Sequence, residues 1–270
     1  MPEGPETHYI ADCARQVLAG KSLTSVKLAP AALKTYEKML KGRKVADVTG
    51  RGKALLTRFD NGLVLYTHSQ LLGYWEFQEQ KPPDPPKRSP RVHLATASGS
   101  ASLFIAPKVE IWKSRDIEAH PFLAKLGPDI LDPEVIAADF STRVATAPFA
   151  RRTLAVLLLQ QEFAAGMGNY LRSEVLFDAR LSPLRTGDSL TAKEARALAR
   201  SMLAVARRSY RSKFEGPLPA SSKGYLARTA KTFRFQVFDR EGHPCPSCGG
   251  EIAMQRLADR RLYWCPACQR

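Results

Sequence analysis

The chain has 270 residues, enough for a substantial core and two domains, and its hydrophobic fraction of 44% excludes a disordered protein. It carries 41 Lys and Arg residues against 26 acidic ones, and this net charge of +15 favours a polyanionic partner, most commonly nucleic acid. No apolar stretch approaches the length of a membrane helix, and the first residues do not have the pattern expected of a secretory signal. We therefore expect a cytoplasmic or nucleoid-associated protein, with a generally basic, solvated surface as the alternative explanation of the charge.

The first segment, MPEGPETHYIADCARQVLAG, has the pattern of an amphipathic helix. Apolar residues recur at helical spacing between Glu6 and Leu18, and Gly20 is a natural stop. Pro5 suits the first helical turn, where its missing N–H costs no hydrogen bond. Cys13 lies on the apolar face of this helix, which predicts a core residue.

Strands are predicted from residue 44 onward. The segment KVADVTGRGKALLTRFDNGLVLYTHSQLLGYWEF alternates in polarity, and its Asp60-Asn61-Gly62 is typical of a hairpin turn. Five prolines in 81–91 predict a surface loop, and RVHLATASGSASLFIAP predicts a further strand pair. One helix with several short strands predicts a β-sandwich domain over residues 1–119.

Helices are predicted after a linker at 120–134, where HPFLAKLGPDILDPE contains two turn signals. The segment RRTLAVLLLQQEF predicts a buried helix, AAGMGN a tight turn, NYLRSEVLFDARL a second helix and TAKEARALARSMLAVARRSYRSKF an amphipathic one. The predicted fold class is therefore α+β: a helical domain over 135–234 follows the sandwich, and a small domain covers 235–270.

Basic residues cluster between Arg207 and Arg234, where eight of them occur with one acid, Glu215, and with interleaved aromatic residues. Such side chains can neutralise phosphates and release counterions. The stretch includes GPLPASSKG, which predicts a mobile loop that becomes ordered on a nucleic-acid backbone.

Four cysteines near the C-terminus have the spacing of a metal site. Cys245 and Cys248 form one CxxC pair, and sixteen residues separate it from the pair of Cys265 and Cys268. Two such pairs joined by a short hairpin predict four thiolate ligands around one structural zinc ion. Two disulfides are the alternative, which the absence of an export signal disfavours. The hairpin would be EIAMQRLADRRLYW, with residues 258–261 near its tip, where arginine is well placed to bind a phosphate.

These features in this order resemble the formamidopyrimidine-DNA glycosylase and endonuclease VIII family of base-excision-repair enzymes, and the chain looks closest to the bacterial endonuclease VIII branch. The resemblance runs from PEGPE through TGRGKALLTRF, SQLLGYW, HPFLAKLGPDILDP and AGMGNYLRSE to the zinc motif. It implies an N-terminal sandwich, a helix–two-turn–helix and a four-cysteine zinc finger. It also implies a DNA glycosylase and AP lyase that acts on damaged double-stranded DNA; we expect a monomer.

The resemblance assigns the chemistry to the N-terminus. Pro2, as a free secondary amine, would attack C1′ of the damaged nucleoside, and the resulting Schiff base would allow β,δ-elimination. This chemistry requires removal of Met1. The carboxyl of Glu3 would protonate the sugar ring oxygen. The alternative for Glu3 is favourable charge at a helix N-terminus, which Glu6 could equally supply.

Further residues match family positions that contact DNA. Lys53 matches a hairpin lysine that contacts the phosphate by the lesion and assists elimination, although it could be one lysine among many on an exposed turn. Arg260 matches the zinc-finger arginine that binds the flanking phosphates, and the spacing to Cys265 favours it over the adjacent Arg261. Lys125 matches a basic DNA-contacting position in the linker.

Two residues of the helix–two-turn–helix also match family positions. Asn169 matches a phosphate-binding asparagine, and it could also cap the following helix. Glu174 matches an acid near the N-terminal amine, and a buried ion pair is its simplest role.

The target base must leave the helical stack, and the resemblance places Gln70, Leu71 and Leu72 at the void-filling triplet. An aromatic residue is expected at the third position, so Leu72 can wedge between base pairs but cannot stack as an aromatic ring would. An ordinary strand end is the alternative for each of the three.

The branch of the family rests on departures from the purine-specific pattern. That branch usually begins PELPEVE and carries a DPRRFG-like loop, whereas this chain has PEGPETH and IWKSRDIEAHPF. We therefore expect oxidised pyrimidines as substrates. The alternatives are an 8-oxoguanine and formamidopyrimidine glycosylase of the same family, or a non-catalytic DNA-binding zinc protein.

Overall fold

The computed structural model describes residues 2–214, 218–257 and 259–270, which form two compact units. The first unit contains Pro2 and residues 6–124 and 218–226, and the second contains the remaining described residues. Met1, whose removal the predicted mechanism requires, lies outside the described residues. So do 215–217 of the predicted basic stretch and Ala258 of the predicted hairpin tip.

Helix α1 (Gly4–Leu18) confirms the amphipathic helix read from the sequence. Its apolar positions are buried, Cys13 is 2% exposed within the core, and Gly20 follows the helix at φ +77°. A second helix, α2 (Lys34–Leu40), was not predicted. Helix α2 has only seven residues, and Leu40 is its one fully buried residue, so its apolar pattern is too short to distinguish a helix.

Two four-stranded antiparallel sheets confirm the predicted sandwich. One sheet has the order β1-β6-β7-β5 and the other the order β2-β3-β4-β8. A core that includes Leu65, Trp75 and Leu94 is almost completely buried. The strands are β1 (Ser25–Leu28), β2 (Val45–Arg51), β3 (Ala54–Phe59), β4 (Leu63–His68), β5 (Tyr74–Gln78), β6 (Val92–Thr96), β7 (Gly99–Phe104) and β8 (Lys108–Lys113).

Two segments of this unit were predicted as a turn and as a mobile loop. Gly62 has φ +76° in the β3–β4 hairpin, which confirms the turn at Asp60-Asn61-Gly62. The described part of GPLPASSKG differs from the expected mobile loop, because Ala220 and Ser222 form backbone hydrogen bonds with β5. The composition of this segment indicated a loop. The pairing could not be predicted, because its partner strand is distant in sequence: Trp75 and Ser222 are 147 positions apart.

The second unit is helical and packs around its own core. Most apolar side chains of the run 151–163 are buried, as predicted, but only Leu154–Leu157 is α-helical. The apolar composition of this segment predicted its burial correctly, but it does not determine the length of the helix. The helices are α3 (Ala137–Arg143), α4 (Leu154–Leu157), α5 (Asn169–Asp178), α6 (Ala192–Arg211) and, from its third residue onward, α7 (Tyr225–Phe233).

The C-terminal hairpin consists of β9 (Ala253–Leu257) and β10 (Arg260–Trp264), which pair antiparallel. Ile252 and Tyr263 belong to the core of the second unit, so the hairpin is packed against the helices. Within the part of the chain that is described, no helix is long and apolar enough to cross a membrane.

Candidate functional site

The Glu3 carboxylate is held at the N-terminus of helix α5. Its Oε1 accepts the Tyr170 N–H at 2.9 Å and its Oε2 accepts the Leu171 N–H at 3.2 Å. These amides belong to the first turn of α5, where N–H groups have no partner within the helix and the helix dipole favours an anion. Glu3 is 5% exposed, so this carboxylate is fixed in position and shielded from bulk water.

The glycines of the AAGMGN turn make room for Glu3 and its neighbour. A Cβ on Gly168 would lie 2.2 Å from the Glu3 Cδ, so no other residue fits there without moving the carboxylate. Gly166 has φ +91°, and its carbonyl accepts the Gly4 N–H at 2.8 Å. The sequence predicted a tight turn here, and the structure shows that the turn receives residues 3 and 4.

Arg172 lies in the same first turn of α5, next to Leu171, and is fully buried. Its Nη2 donates to Asn169 Oδ1 at 2.8 Å and to the Arg261 carbonyl at 3.1 Å, and its Nη1 donates to the Ala155 carbonyl at 2.9 Å. Burial lowers the pKa of Arg172 to about 10, with Glu3 raising it and Arg260 lowering it further. The guanidinium therefore joins Asn169 to the backbone of the hairpin, and the charges of Glu3 and Arg260 act on it within the same unit.

Arg172 was not predicted, because an arginine in a helical sequence is typical of an exposed position. Capping of α5 by Asn169 was the alternative role for that residue. The structure places Gly168 at the N-cap and makes Asn169 the first helical residue, with its side-chain oxygen bound to Arg172. The capping alternative is therefore wrong.

Glu174 has a role other than the expected ion pair. Its two oxygens accept the backbone N–H groups of Gln236, Val237 and Phe238 at 2.9–3.1 Å. Burial raises the pKa of Glu174, and these three amides oppose that shift. Glu174 therefore fixes the chain segment that leads into the zinc finger.

The four cysteines of the finger fit a zinc ion. Their sulfur atoms all lie within 4.8 Å of one another, with 3.8 Å between the sulfurs of Cys245 and Cys268 and 3.5 Å between those of Cys248 and Cys265. A tetrahedral site with Zn–S bonds of about 2.3 Å requires sulfurs about 3.8 Å apart. The thiols are free, so the disulfide alternative is wrong. One structural zinc ion is the cofactor that this set of ligands supports.

The arginines of the hairpin lie at the start of β10, the strand that ends directly before Cys265. Arg260 opens β10 opposite Leu257, and it is exposed. The Tyr263 N–H donates to the Ser173 hydroxyl at 3.3 Å, which joins β10 to α5 in addition to the bond between Arg172 and Arg261. Lys125 ends a short 3-10 turn in the same unit and is exposed.

The remaining predicted residues belong to the first unit. Pro2 is buried, and Lys53 lies in the β2–β3 turn with 8% of its surface exposed, so it is not a lysine on an exposed turn. His68 at the end of β4 was not predicted. Burial and then the charge of Lys53 lower its pKa to about 4, so it is neutral at physiological pH.

The predicted wedge triplet lies between β4 and β5, in a loop and not at a strand end, and all three residues are exposed. Gln70 has φ +47° and its N–H donates to His68 Nδ1 at 3.1 Å. Leu71 and Leu72 are 70% and 68% exposed, an unusual exposure for adjacent leucines. The strand-end alternative is therefore wrong for this segment.

Comparison with known proteins identifies the family. The N-terminal domain model of formamidopyrimidine-DNA glycosylase matches residues 1–109, its H2TH domain matches 126–216, and the zinc finger found in FPG and IleRS matches 242–270. Endonuclease 8 proteins of Klebsiella pneumoniae and Shigella flexneri are each 40% identical over 269 residues, covering 100% of both chains. The chain belongs to the formamidopyrimidine-DNA glycosylase family.

A solved structure shows the same fold. The Lactococcus lactis formamidopyrimidine-DNA glycosylase bound to DNA containing an AP site matches with a TM-score of 0.82 and 19% identity, covering 99% of each chain. Members of the formamidopyrimidine-DNA glycosylase family are DNA glycosylases with AP lyase activity. The predicted family, fold class and enzyme class are therefore confirmed, and binding of DNA is supported.

Gly168→Ala tests the close approach of the turn to Glu3 in this glycosylase. The added methyl would displace the carboxylate by about an ångström, and we expect base excision to fall about 100-fold, as small misplacements of a reacting group can cause. The matched control is Gly20→Ala, where a Cβ meets nothing within 4 Å, so it should cost about 1 kcal/mol of backbone strain and leave excision intact. Equal excision rates for the two variants would contradict the role of this contact.

Proposed function

We propose that this DNA glycosylase and AP lyase of base excision repair removes oxidised pyrimidines through a Schiff base on Pro2, followed by β,δ-elimination. The observation that carries the proposal is the Glu3 carboxylate, which directly follows Pro2 and is held by two amides of α5. A fixed carboxyl beside a secondary amine provides the acid and the nucleophile that removal of a base requires.

The nucleophile is the nitrogen of Pro2 once Met1 has been removed. Its lone pair forms a bond to C1′, the C1′–base bond breaks, and the damaged base leaves with its electron pair and takes up the proton lost from the Pro2 nitrogen. Glu3 delivers a proton to the ring oxygen, so the sugar opens and a cationic iminium forms. The iminium accepts electrons as the proton on C2′ is lost and the 3′ phosphate leaves, and a second elimination then releases the 5′ phosphate.

The basic residues would hold the DNA backbone around this centre. Lys53 would contact the phosphate beside the lesion and assist proton transfer during elimination. Arg172 bonds both the Asn169 side chain and the backbone carbonyl of Arg261, which follows Arg260 on β10, so Asn169 and Arg260 are suited to bind neighbouring phosphates. Lys125 would add a further backbone contact.

The exposed triplet of Gln70, Leu71 and Leu72 would enter the space that the extruded nucleotide leaves. Insertion of apolar side chains compensates for lost stacking, and it requires side chains exposed at the tip of a loop, as these are. We further propose that a monomer acts on damaged double-stranded DNA in the cytoplasm, at the nucleoid. The sandwich at 1–119 would carry the nucleophile, 120–134 the linker, and 135–234 with the finger at 235–270 the main DNA contacts.

Oxidised pyrimidines are favoured by the PEGPETH start, by the region IWKSRDIEAHPF and by the 40% identity to endonuclease 8 proteins. The test compares turnover on duplexes that carry thymine glycol opposite adenine or 8-oxoguanine opposite cytosine. We expect faster turnover of thymine glycol. Preferential turnover of 8-oxoguanine would instead assign the purine branch.

A non-catalytic DNA-binding zinc protein would keep the basic residues and the finger without any need for a free proline. Borohydride reduction separates the two functions, because hydride converts the iminium into a stable covalent adduct. The processed protein should be trapped on a lesion duplex, whereas a version with an N-terminal extension should not. Equal trapping of both, or no trapping of the processed protein, would refute the proposed mechanism.

A further inference from the structure

The segment 218–224 extends the edge of the β1-β6-β7-β5 sheet. The Phe77 N–H donates to the Ala220 carbonyl at 2.9 Å, the Ser222 N–H donates to the Trp75 carbonyl at 2.7 Å, and Glu76 and Ser221 form an antiparallel bridge. The segment therefore acts as a short additional strand beside β5. Edge strands present unpaired backbone groups, and this pairing satisfies them within the same unit.

Ser222 makes the central contact of this pairing. Its hydroxyl accepts the Trp75 N–H at 2.8 Å, while its own N–H donates to the carbonyl of the same tryptophan. Ser222 is 6% exposed and Trp75 is 1% exposed. A side chain without an acceptor at this position would leave the buried Trp75 N–H without its partner.

Trp75 stands at the base of the loop that carries the exposed leucines. The Gly73 N–H donates to the Ser69 carbonyl at 2.9 Å, which closes the loop directly before β5. Tyr74, which directly precedes Trp75, stacks on Phe104 with 5.2 Å between the ring centroids. The Lys223 ammonium lies 5.6 Å from the centroid of the Tyr74 ring. Residues 222 and 223 thus hold the two residues from which the loop emerges.

We propose that Ser222 is a positioning residue for the Leu71–Leu72 wedge: it fixes the start of β5, and thereby the angle at which the loop enters the DNA stack. The inference rests on the proposed function, because a wedge has a role only if a nucleotide is extruded from a duplex. Ser222 itself contacts neither the DNA nor the reacting atoms in this account.

The test compares strand cleavage at an abasic site in duplex and in single-stranded oligonucleotides. Only the duplex requires a wedge, so Ser222→Ala should lower kcat/KM on the duplex about tenfold and leave the single-stranded value unchanged. Ser222→Thr retains the hydroxyl and should restore the ratio of the two values. Ser102→Ala is the matched control, because it also removes a buried serine hydroxyl, which bonds His93 at 2.9 Å, and it should leave the ratio unchanged.

Lys223→Gln provides a second variant that leaves the buried hydroxyl in place, since Lys223 is exposed. Any phosphate contact it loses affects both substrates, so a fall in the duplex to single-strand ratio reports on the loop. An unchanged ratio in the Ser222→Ala protein, or an equal fall for Ser102→Ala, would overturn the inference. Failure of the proposed function would look different, because the wild-type protein would then cleave neither substrate.

Discussion

Glu3→Gln is expected to lower base excision by about 10²- to 10⁴-fold while cleavage at a preformed abasic site persists. Excision requires a proton on the sugar ring oxygen, and an amide cannot supply it. An abasic site already equilibrates with the open aldehyde, so the Pro2 amine can attack without that proton. Separate assays on a lesion duplex and on an abasic duplex measure the two activities.

The hydrogen bonds of Glu3 should make the loss of base excision in Glu3→Gln larger. Two backbone N–H groups face the two carboxylate oxygens, so the NH₂ of a glutamine would point at a donor and lose one hydrogen bond. Glu6→Gln is the matched control, because Glu6 could supply the same charge to the N-terminus of α1. If Glu3 served only the helix, both variants would behave alike. An equal loss of excision and abasic-site cleavage in Glu3→Gln would also contradict its assigned role.

Loss of zinc is expected to abolish productive DNA cleavage. Structural zinc sites contribute about 10–16 kcal/mol of apparent binding free energy, so removal by a chelator should unfold the finger. Cys248→Ser should weaken the site in the same way without creating a cavity, because Cys248 is exposed. Arg260 and the Arg261 carbonyl that binds Arg172 would both lose their positions. We expect at least a 100-fold weaker affinity for lesion duplex and little strand cleavage.

The measurement combines zinc content by atomic absorption with duplex affinity at one fixed salt concentration. The wild-type protein should hold one zinc ion per chain. Cys13→Ala is the control, because Cys13 is a buried core residue of the first unit and should affect neither zinc content nor affinity. A zinc-free protein that still binds and cleaves the duplex would show that the finger is dispensable.

Local patterns predicted the elements whose signals lie within a few residues of one another. The periodicity of α1 and α6, the turn at Gly62 and the paired CxxC motifs each depend on short spacings, and the structure confirms them. Helix α2 was not predicted because its seven residues are too few for an apolar pattern to identify a helix. The apolar run around α4 gave burial but not helix length, because burial alone does not distinguish a helix from packed turns.

The contacts that define the candidate site could not be derived from the sequence, because they join distant segments. Glu3 meets Tyr170 across 167 positions, and Ser222 meets Trp75 across 147. Resemblance to the family supplied Glu3 and Asn169 as candidates, but not Arg172, which connects Asn169 to the hairpin. The requirement for glycine at position 168 likewise depends on the three-dimensional structure, in which the Glu3 carboxylate occupies the space that a Cβ would need.

Formation of the covalent intermediate on the N-terminal proline is the central claim, and the site of the trapped adduct tests it most directly. After borohydride reduction on an abasic duplex, digestion with nuclease and trypsin leaves a sugar remnant on one peptide. We predict the remnant on peptide 2–15, at the nitrogen of Pro2, in protein that has lost Met1. A remnant on peptide 52–58, at the Lys53 amine, would contradict this account and make the lysine the nucleophile.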